Sequence, residues 1–194
     1  MLANVCHSLV RARFRGAGLP PMFVLLAALA LPAAAQQPGN PYGEWRYWGG
    51  DLSSTRFSPV DQINASNFQN LEVAWVWRGD NYGPGPDFVM RSTPTYADGI
   101  LYTVAGVRRT VIALDPATGE TLWTFREPNT VRWEESPRRN YGRGVAYAEV
   151  DGRGVIYVVT PAFFLHALDA KTGLPLEGFG GQIPVEGFAE TGTV

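Results

Sequence analysis

The sequence contains few of the side chains that most catalytic and metal sites use. Its 194 residues include one cysteine, Cys6, and two histidines, His7 and His166. Because Cys6 and His7 lie close to the N-terminus, nearly the whole chain has no thiol and a single imidazole. This composition argues against a disulfide framework, against Cys/His metal sites, and against triads or acid–base pairs that depend on histidine.

The first 35 residues have the organisation of a secretory signal peptide. A cluster of three arginines between positions 11 and 15 precedes an apolar run at 22–31, which is too short to span a bilayer. Small residues follow, and they predict cleavage after Ala35. The alternative is a buried core helix. The signal interpretation predicts a periplasmic protein whose mature chain has no transmembrane helix.

Positive charge is scarce in the rest of the chain. Three of the 16 basic residues and none of the 18 acidic residues lie in 1–35, so the remainder carries 13 basic and 18 acidic side chains and a net charge of −5. Its only lysine is Lys171. This balance gives no support to a nucleic-acid-binding face.

Long helical periodicity is also missing, and short β-rich runs separated by turn residues take its place. In "LEVAWVW" (71–77), Leu71, Val73, Trp75 and Trp77 alternate with the other residues, which predicts a strand. Two further units each contain four predicted strands. The predicted strands lie at about 91–97, 100–105, 110–115 and 121–125, and at about 143–149, 154–160, 163–169 and 175–179.

A repeated phrase marks these two units. "ALDPATG" and "ALDAKTG" begin at Ala113 and Ala167, 54 residues apart. A four-stranded unit recurring at this period is typical of a β-propeller blade. The aspartates, Asp115 and Asp169, are predicted to hydrogen-bond the turn backbone rather than act as bases. Trp123, on the last strand of the first unit, is then placed to dock on a neighbouring blade.

The second unit departs from the first, since Glu177 occupies the position that corresponds to Trp123. A propeller needs four to eight blades, so two cannot close one. The sequence is therefore expected to be the N-terminal piece of a longer protein. The predicted divisions are a signal peptide at 1–35, an opening segment at 36–70, and a partial propeller at 71–194 with blade repeats at about 91–125 and 143–179.

Three stretches together resemble the quinoprotein dehydrogenases, which use pyrroloquinoline quinone (PQQ). The phrase A-L-D-x-x-T-G-x-x-x-W is similar to their tryptophan-docking motif, and "EWRYWGGDLSSTRFSPVDQINASNFQNLEVAWVWRGD" (44–80) is similar to the segment that precedes their first blade. "RRNYGRGVAY" (138–147) looks like the second blade of a glucose-dehydrogenase-like subgroup. The resemblance covers about residues 44–181. It implies an all-β, eight-bladed propeller of four-stranded blades, of which about two blades and the strand before them are present.

The resemblance also implies cofactor contacts. Arg143 matches a family arginine that reaches PQQ, and a planar guanidinium suits the three carboxylates of that cofactor. Arg91 stands where family members often have a glutamate near PQQ, so either it contacts the cofactor or this part of the site has changed. Arg108 and Arg109 are expected at a blade edge or loop, with lining of the site as the alternative. His166 is expected to be a strand residue at a blade interface.

The family's reaction is oxidation of an alcohol or sugar by hydride transfer to PQQ, with Ca²⁺ acting as a Lewis acid and electrons passing to a quinone or cytochrome c. Residues 36–194 contain no convincing cluster of oxygen ligands for Ca²⁺. The resemblance implies that the calcium ligands and the catalytic base lie in later blades, beyond Val194. No catalytic or metal-binding residue is assigned in this chain, and the piece alone is expected to be inactive. The alternative function is a non-catalytic propeller scaffold that binds other proteins.

Overall fold

Two four-stranded antiparallel sheets make up most of the structure, a computed structural model that describes residues 43–83, 91–136, 142 and 144–184. Each sheet follows chain order, so every strand pairs with its sequence neighbour. This confirms the all-β class and the four-stranded unit. The first sheet contains β1 (Thr95–Ala97), β2 (Ile100–Ala105), β3 (Thr110–Leu114) and β4 (Thr121–Phe125); α1 (Val131–Glu134) follows; the second sheet contains β5 (Ala146–Val150), β6 (Arg153–Val159), β7 (Phe164–Asp169) and β8 (Gly181–Gln182).

The helical elements are few and short. Apart from α1 they are two 3₁₀ turns, at Phe68–Asn70 and Asp80–Tyr82. None of the helices in the described part of the chain has the length and hydrophobicity that crossing a bilayer requires.

The first hairpin of each sheet turns on the same dipeptide. Asp98 and Gly99 have φ of 49° and 77°, and Asp151 and Gly152 have φ of 51° and 75°. Two successive positive φ values make a type I′ turn, whose twist matches that of the flanking strands. Aspartate tolerates this conformation and glycine adopts it freely, so Asp-Gly fixes the register of both hairpins.

The core lies between the two sheets. Tyr102, in β2, and Tyr147, in β5, stack with ring centroids 6.5 Å apart. The same buried cluster includes Val111 from β3 and Ile156 and Leu168 from the second sheet. Each sheet therefore buries one face against the other, which is how a blade gains a core that it cannot form alone.

Trp123 and Trp75 each dock on one copy of the repeated phrase. The indole Nε1–H of Trp123 donates to the carbonyl oxygen of Ala170 at 3.0 Å, and that of Trp75 donates to the carbonyl oxygen of Pro116 at the same distance. Ala170 and Pro116 each follow the aspartate of Ala-Leu-Asp directly. The predicted docking of Trp123 is confirmed, and Trp75 makes the equivalent contact with the first copy.

The glycine of each phrase is required because the tryptophan ring lies against it. A Cβ on Gly173 would lie 2.4 Å from Cε3 of Trp123, and a Cβ on Gly119 would lie 2.7 Å from Cδ2 of Trp75. Both glycines also have positive φ, 71° and 74°. The Thr-Gly of the repeat therefore serves the turn and the docking surface together.

The two aspartates of the phrase build turns, as predicted. Asp115 accepts a hydrogen bond from the backbone N–H of Thr118 at 3.0 Å, and Asp169 accepts one from that of Thr172 at 2.8 Å. Asp169 also binds Nε of Arg153 at 2.7 Å. Burial acts to raise the pKa of Asp169, but the hydrogen bonds from Arg153 and Thr172 outweigh it, and the pKa lies below its ordinary value.

The strand predicted at 71–77 is not present. This stretch is extended at Leu71, where φ is −69° and ψ is 132°, but no described strand pairs with it. Trp75 and Trp77 pack against β3, whereas Val73, on the same predicted face, is 80% exposed. The alternation therefore predicts the buried face only at Trp75 and Trp77, which contact the first sheet. It does not make a strand, because a strand also needs a hydrogen-bonding neighbour.

The last strand of the second sheet was also predicted in the wrong place. It lies at Gly181–Gln182 rather than at 175–179, where only an isolated bridge joins Pro175 to Leu168. Pro175 has no N–H to donate, and Gly178 has a positive φ of 76°, so this stretch does not continue a ladder. Glu177, at the position that corresponds to the docking tryptophan, is exposed.

Candidate functional site

A cavity of about 540 Å³ lies where the opening segment, the β2–β3 turn and the second sheet meet. Its wall combines aromatic and apolar side chains with two guanidinium groups and two glycines. The lining residues of most interest are Arg46, Trp48, Arg109, Gly142, Gly144 and Tyr157. Concave, largely apolar sites with a few placed polar groups are typical of ligand binding.

The two sequence neighbours of the predicted cofactor arginine line this cavity. Arg143 itself lies outside the described residues, but its neighbours on both sides, Gly142 and Gly144, line the cavity. Arg143 therefore stays a prediction, in a segment that borders a suitable space.

Arg91 is exposed and lies four residues before β1. It is not among the described residues that line the cavity, and its cofactor contact stays a prediction. The residues that follow it do approach the cavity wall. A Cβ on Gly144 would lie 3.2 Å from the carbonyl oxygen of Thr93 and 3.3 Å from Cβ of Ser92. The structure thus brings together the two segments from which cofactor contacts were predicted.

Arg108 and Arg109 occupy the β2–β3 turn and point to different surroundings. Nη1 of Arg109 donates to the carbonyl oxygen of Val159 in β6 at 3.0 Å, and Arg109 lines the cavity. The guanidinium of Arg108 instead lies over the ring of Trp133, 3.8 Å from its centroid. Both arginines lie in a turn, as expected, and Arg109 also lines the cavity.

The linker between the two sheets is fixed by buried polar side chains that sequence analysis did not identify. Arg132, in α1, is 1% exposed, and its Nε and Nη2 donate to the carbonyl oxygens of Ala162 and Ile183 at 3.0 Å each. Oγ of Ser136 donates to the carbonyl oxygen of Pro161 at 2.6 Å. These bonds anchor Arg132 and Ser136, at the described end of the linker, to the second sheet.

His166 lies at the interface of the two sheets, as predicted. Its ring, on β7, makes an edge contact with Phe125 of β4, with centroids 5.0 Å apart. Its Nε2 is 3.9 Å from Oε2 of the buried Glu127. His166 is not among the described residues that line the cavity.

Within the described residues, no group of three His, Cys, Asp or Glu side chains is arranged to hold a metal ion.

Residues 45–188 match the family model described as "Glucose/ethanol/alcohol dehydrogenase, beta-propeller domain", named PQQ. Quinohemoprotein alcohol dehydrogenase ADH IIB of Pseudomonas putida is 34% identical over 180 residues, which cover 87% of this chain and 25% of that protein. Quinoprotein glucose dehydrogenase of Escherichia coli (strain K12) is 36% identical over 127 residues, which cover 64% of this chain and 16% of that protein.

A solved structure gives the same similarity in three dimensions. The quinohemoprotein alcohol dehydrogenase of Comamonas testosteroni superposes with a TM-score of 0.57 and 31% sequence identity over 74% of this chain and 20% of that one. The chain therefore spans a quarter or less of the length of these relatives.

Proposed function

The chain belongs to the PQQ family of glucose, ethanol and alcohol dehydrogenases, and from this membership we propose that it is the N-terminal part of a PQQ-dependent dehydrogenase that oxidises an alcohol or a sugar. The observation that carries the proposal is the cavity beside Gly142 and Gly144, since these residues flank the predicted cofactor arginine, Arg143. Relatives named for alcohol, glycerol and glucose support this substrate class. The glucose-like subgroup is the narrower proposal.

The residues around the cavity suit an anionic planar ligand. PQQ carries three carboxylates and an ortho-quinone. Arg46 and Arg109 are the charged groups among the described lining residues, and Tyr47, Trp48 and Tyr157 supply aromatic surface. In this site Arg143 would hold a carboxylate, and the glycines would let the backbone approach the ring system.

Bound PQQ supplies the quinone that accepts a hydride equivalent from the substrate. The residues of this chain would bind and orient it. We propose Ca²⁺ as the accompanying metal, with ligands supplied from outside residues 36–194. The solved structure of a europium-containing methanol dehydrogenase is similar to this chain, with 25% sequence identity and a TM-score of 0.55. A metal is therefore part of the proposal.

Electrons would leave to a quinone or a cytochrome c, and the signal-like residues 1–35 would direct the protein to the periplasm. Because the chain spans a quarter or less of its relatives, we expect it to have no dehydrogenase activity alone. It should nevertheless retain part of the cofactor site.

Titration of the chain with PQQ in the presence of Ca²⁺ tests this proposal. Most of the site would come from other blades, so binding should be weak, with a Kd above about 0.1 mM. It should also depend on Arg143: Arg143→Gln is expected to weaken binding by about 10-fold, since one charge-assisted contact is worth roughly 1.5–3 kcal/mol. Isothermal titration calorimetry at high protein concentration measures both.

Arg78→Gln is the matched control, because Arg78 is an exposed surface arginine paired with Asp80. It removes the same charge and should change the affinity less than 2-fold. No PQQ binding up to several millimolar, or an equal loss in Arg78→Gln and Arg143→Gln, would count against a cofactor site and in favour of a non-catalytic scaffold.

A further inference from the structure

The cavity has a positive wall in a chain whose residues 36–194 are acidic overall. Two arginines, Arg46 and Arg109, line it, and no acidic side chain does so among the described residues. Most of the remaining wall is aliphatic or aromatic. A charge facing such a wall is poorly screened by water, so an anion entering the cavity gains more than it would at an open surface.

The charge of Arg46 is already balanced. Its Nε binds Glu44 at 2.6 Å, its Nη2 binds Asp98 at 3.0 Å, and its Nη1 lies 3.9 Å from a carboxylate oxygen of Glu149. Its pKa is raised, chiefly by the hydrogen bond with Glu44. Arg46 therefore serves mainly to join the opening segment to the two sheets.

Arg109 is placed in the cavity wall by three features of the fold. It has a positive φ of 50°, a conformation that a residue with a Cβ adopts only when its surroundings fix it. Its Nη1 is held by the carbonyl oxygen of Val159 at 3.0 Å. Gly142 makes room for its stem, because a Cβ there would lie 2.8 Å from Cδ and Nε of Arg109. The β2–β3 turn thus places the guanidinium of Arg109 beside Gly142, the residue before Arg143.

Arg109 is half-buried, and the partial desolvation of its guanidinium has an energetic consequence. Desolvation lowers the pKa of Arg109, and the charge of Glu127 only partly opposes that effect. A bound carboxylate would offset the cost of burying the cation. A guanidinium has five N–H groups, so it holds a backbone carbonyl and a carboxylate at the same time.

We propose that Arg109 is a second anion-binding residue of this site, whose guanidinium holds a carboxylate of a planar aromatic polycarboxylate. This rests on the proposed function in taking PQQ as the natural ligand. The anion site itself rests on the cavity, the contact with Gly142 and the bond to Val159.

The chain supplies a matched control in the adjacent residue. Arg108 carries the same charge in the same turn, but it stacks on Trp133 and does not line the cavity. Arg108→Gln and Arg109→Gln therefore change the net charge equally. They differ in whether a guanidinium is removed from the cavity wall.

The test uses the full chain and two probes, PQQ and benzene-1,3,5-tricarboxylate, each titrated into the millimolar range and followed through the indole N–H signals in ¹H–¹⁵N spectra. Arg109→Gln is expected to weaken binding of both probes by about 10-fold to 100-fold. Arg108→Gln is expected to change it less than 2-fold. If Arg109→Gln does not fold, Arg109→Lys, which keeps the charge but loses the planar fork, should still bind at least 3-fold more weakly than the wild type.

The outcomes distinguish the anion-binding role of Arg109 from the assignment of PQQ as the cofactor. If the tricarboxylate binds through Arg109 and PQQ does not bind, the anion site stands and the cofactor assignment fails. If PQQ binds through Arg143 while Arg109→Gln equals the wild type, the cofactor assignment stands and the role of Arg109 is overturned. Binding of neither probe, or equal losses in Arg108→Gln and Arg109→Gln, also overturns it.

Discussion

Trp123→Ala is expected to lower the free energy of unfolding by about 3–5 kcal/mol, the range for truncating a well-packed tryptophan. The ring of Trp123 packs on Gly173 and lies 5.9 Å from the ring of Tyr102, and its N–H binds the carbonyl oxygen of Ala170. The substitution removes apolar contact and leaves that carbonyl without its partner. Because a domain is stable by only about 5–15 kcal/mol, the loss should be plain in urea denaturation followed by circular dichroism.

Trp48→Ala is the control for this experiment. Trp48 is 45% exposed and stacks with Arg56 at the surface, outside the contact between the two sheets. Its truncation should cost less than about 1 kcal/mol. Equal losses for Trp48→Ala and Trp123→Ala would mean that the repeated phrase is not what joins the sheets.

Gly173→Ala is expected to destabilise the chain by about 2–4 kcal/mol. One part of the loss is the positive φ of 71°, which costs a residue with a Cβ about 1–2 kcal/mol. The other part is steric, since the new methyl group would lie 2.4 Å from Trp123 and the ring would have to move. Thermal unfolding should show a clear drop in Tm.

Gly178→Ala isolates the backbone part of that loss. Gly178 has a similar φ of 76°, but a Cβ there meets nothing within 4 Å. Only the cost of the positive φ should remain, about 1–2 kcal/mol. If both variants lose the same amount, Trp123 does not rest on Gly173 in solution.

Much of the sheet structure could be predicted from local sequence, because the information is local. Asp98-Gly99 and Asp151-Gly152 specify type I′ hairpins, and the alternation of apolar residues fixes which face is buried. Asp115 and Asp169 hydrogen-bond within their own turns, two or three residues away, so their roles were also apparent.

The errors fall where structure depends on distant partners. The stretch at 71–77 has a strand-like sequence pattern, but strand pairing is a property of two segments and cannot be predicted from one. Likewise, β8 forms at Gly181–Gln182 because those residues meet Phe164 and Leu165. A local pattern placed it six residues too early.

The candidate site shows the same division. The segment around Arg143 was identified by its motif, whereas the contact of Arg109 with Val159 joins residues 50 positions apart. The bond between Arg46 and Asp98 spans 52 positions. The sequence marked Arg109 only as one of two arginines in the predicted β2–β3 turn, and Arg46 only as part of the aromatic-glycine run at 44–50.

The repeated phrases dock the tryptophans that join the blades, and we propose that ligand binding takes place in the cavity where the opening segment, the β2–β3 turn and the second sheet meet. The six tryptophans report on this directly, because Trp48 lines the cavity while Trp75 and Trp123 dock on the phrases. On titration with PQQ, the assigned indole N–H signal of Trp48 is predicted to shift progressively, and those of Trp75 and Trp123 are predicted to stay in place. A shift of Trp123 with no change at Trp48 would contradict the account.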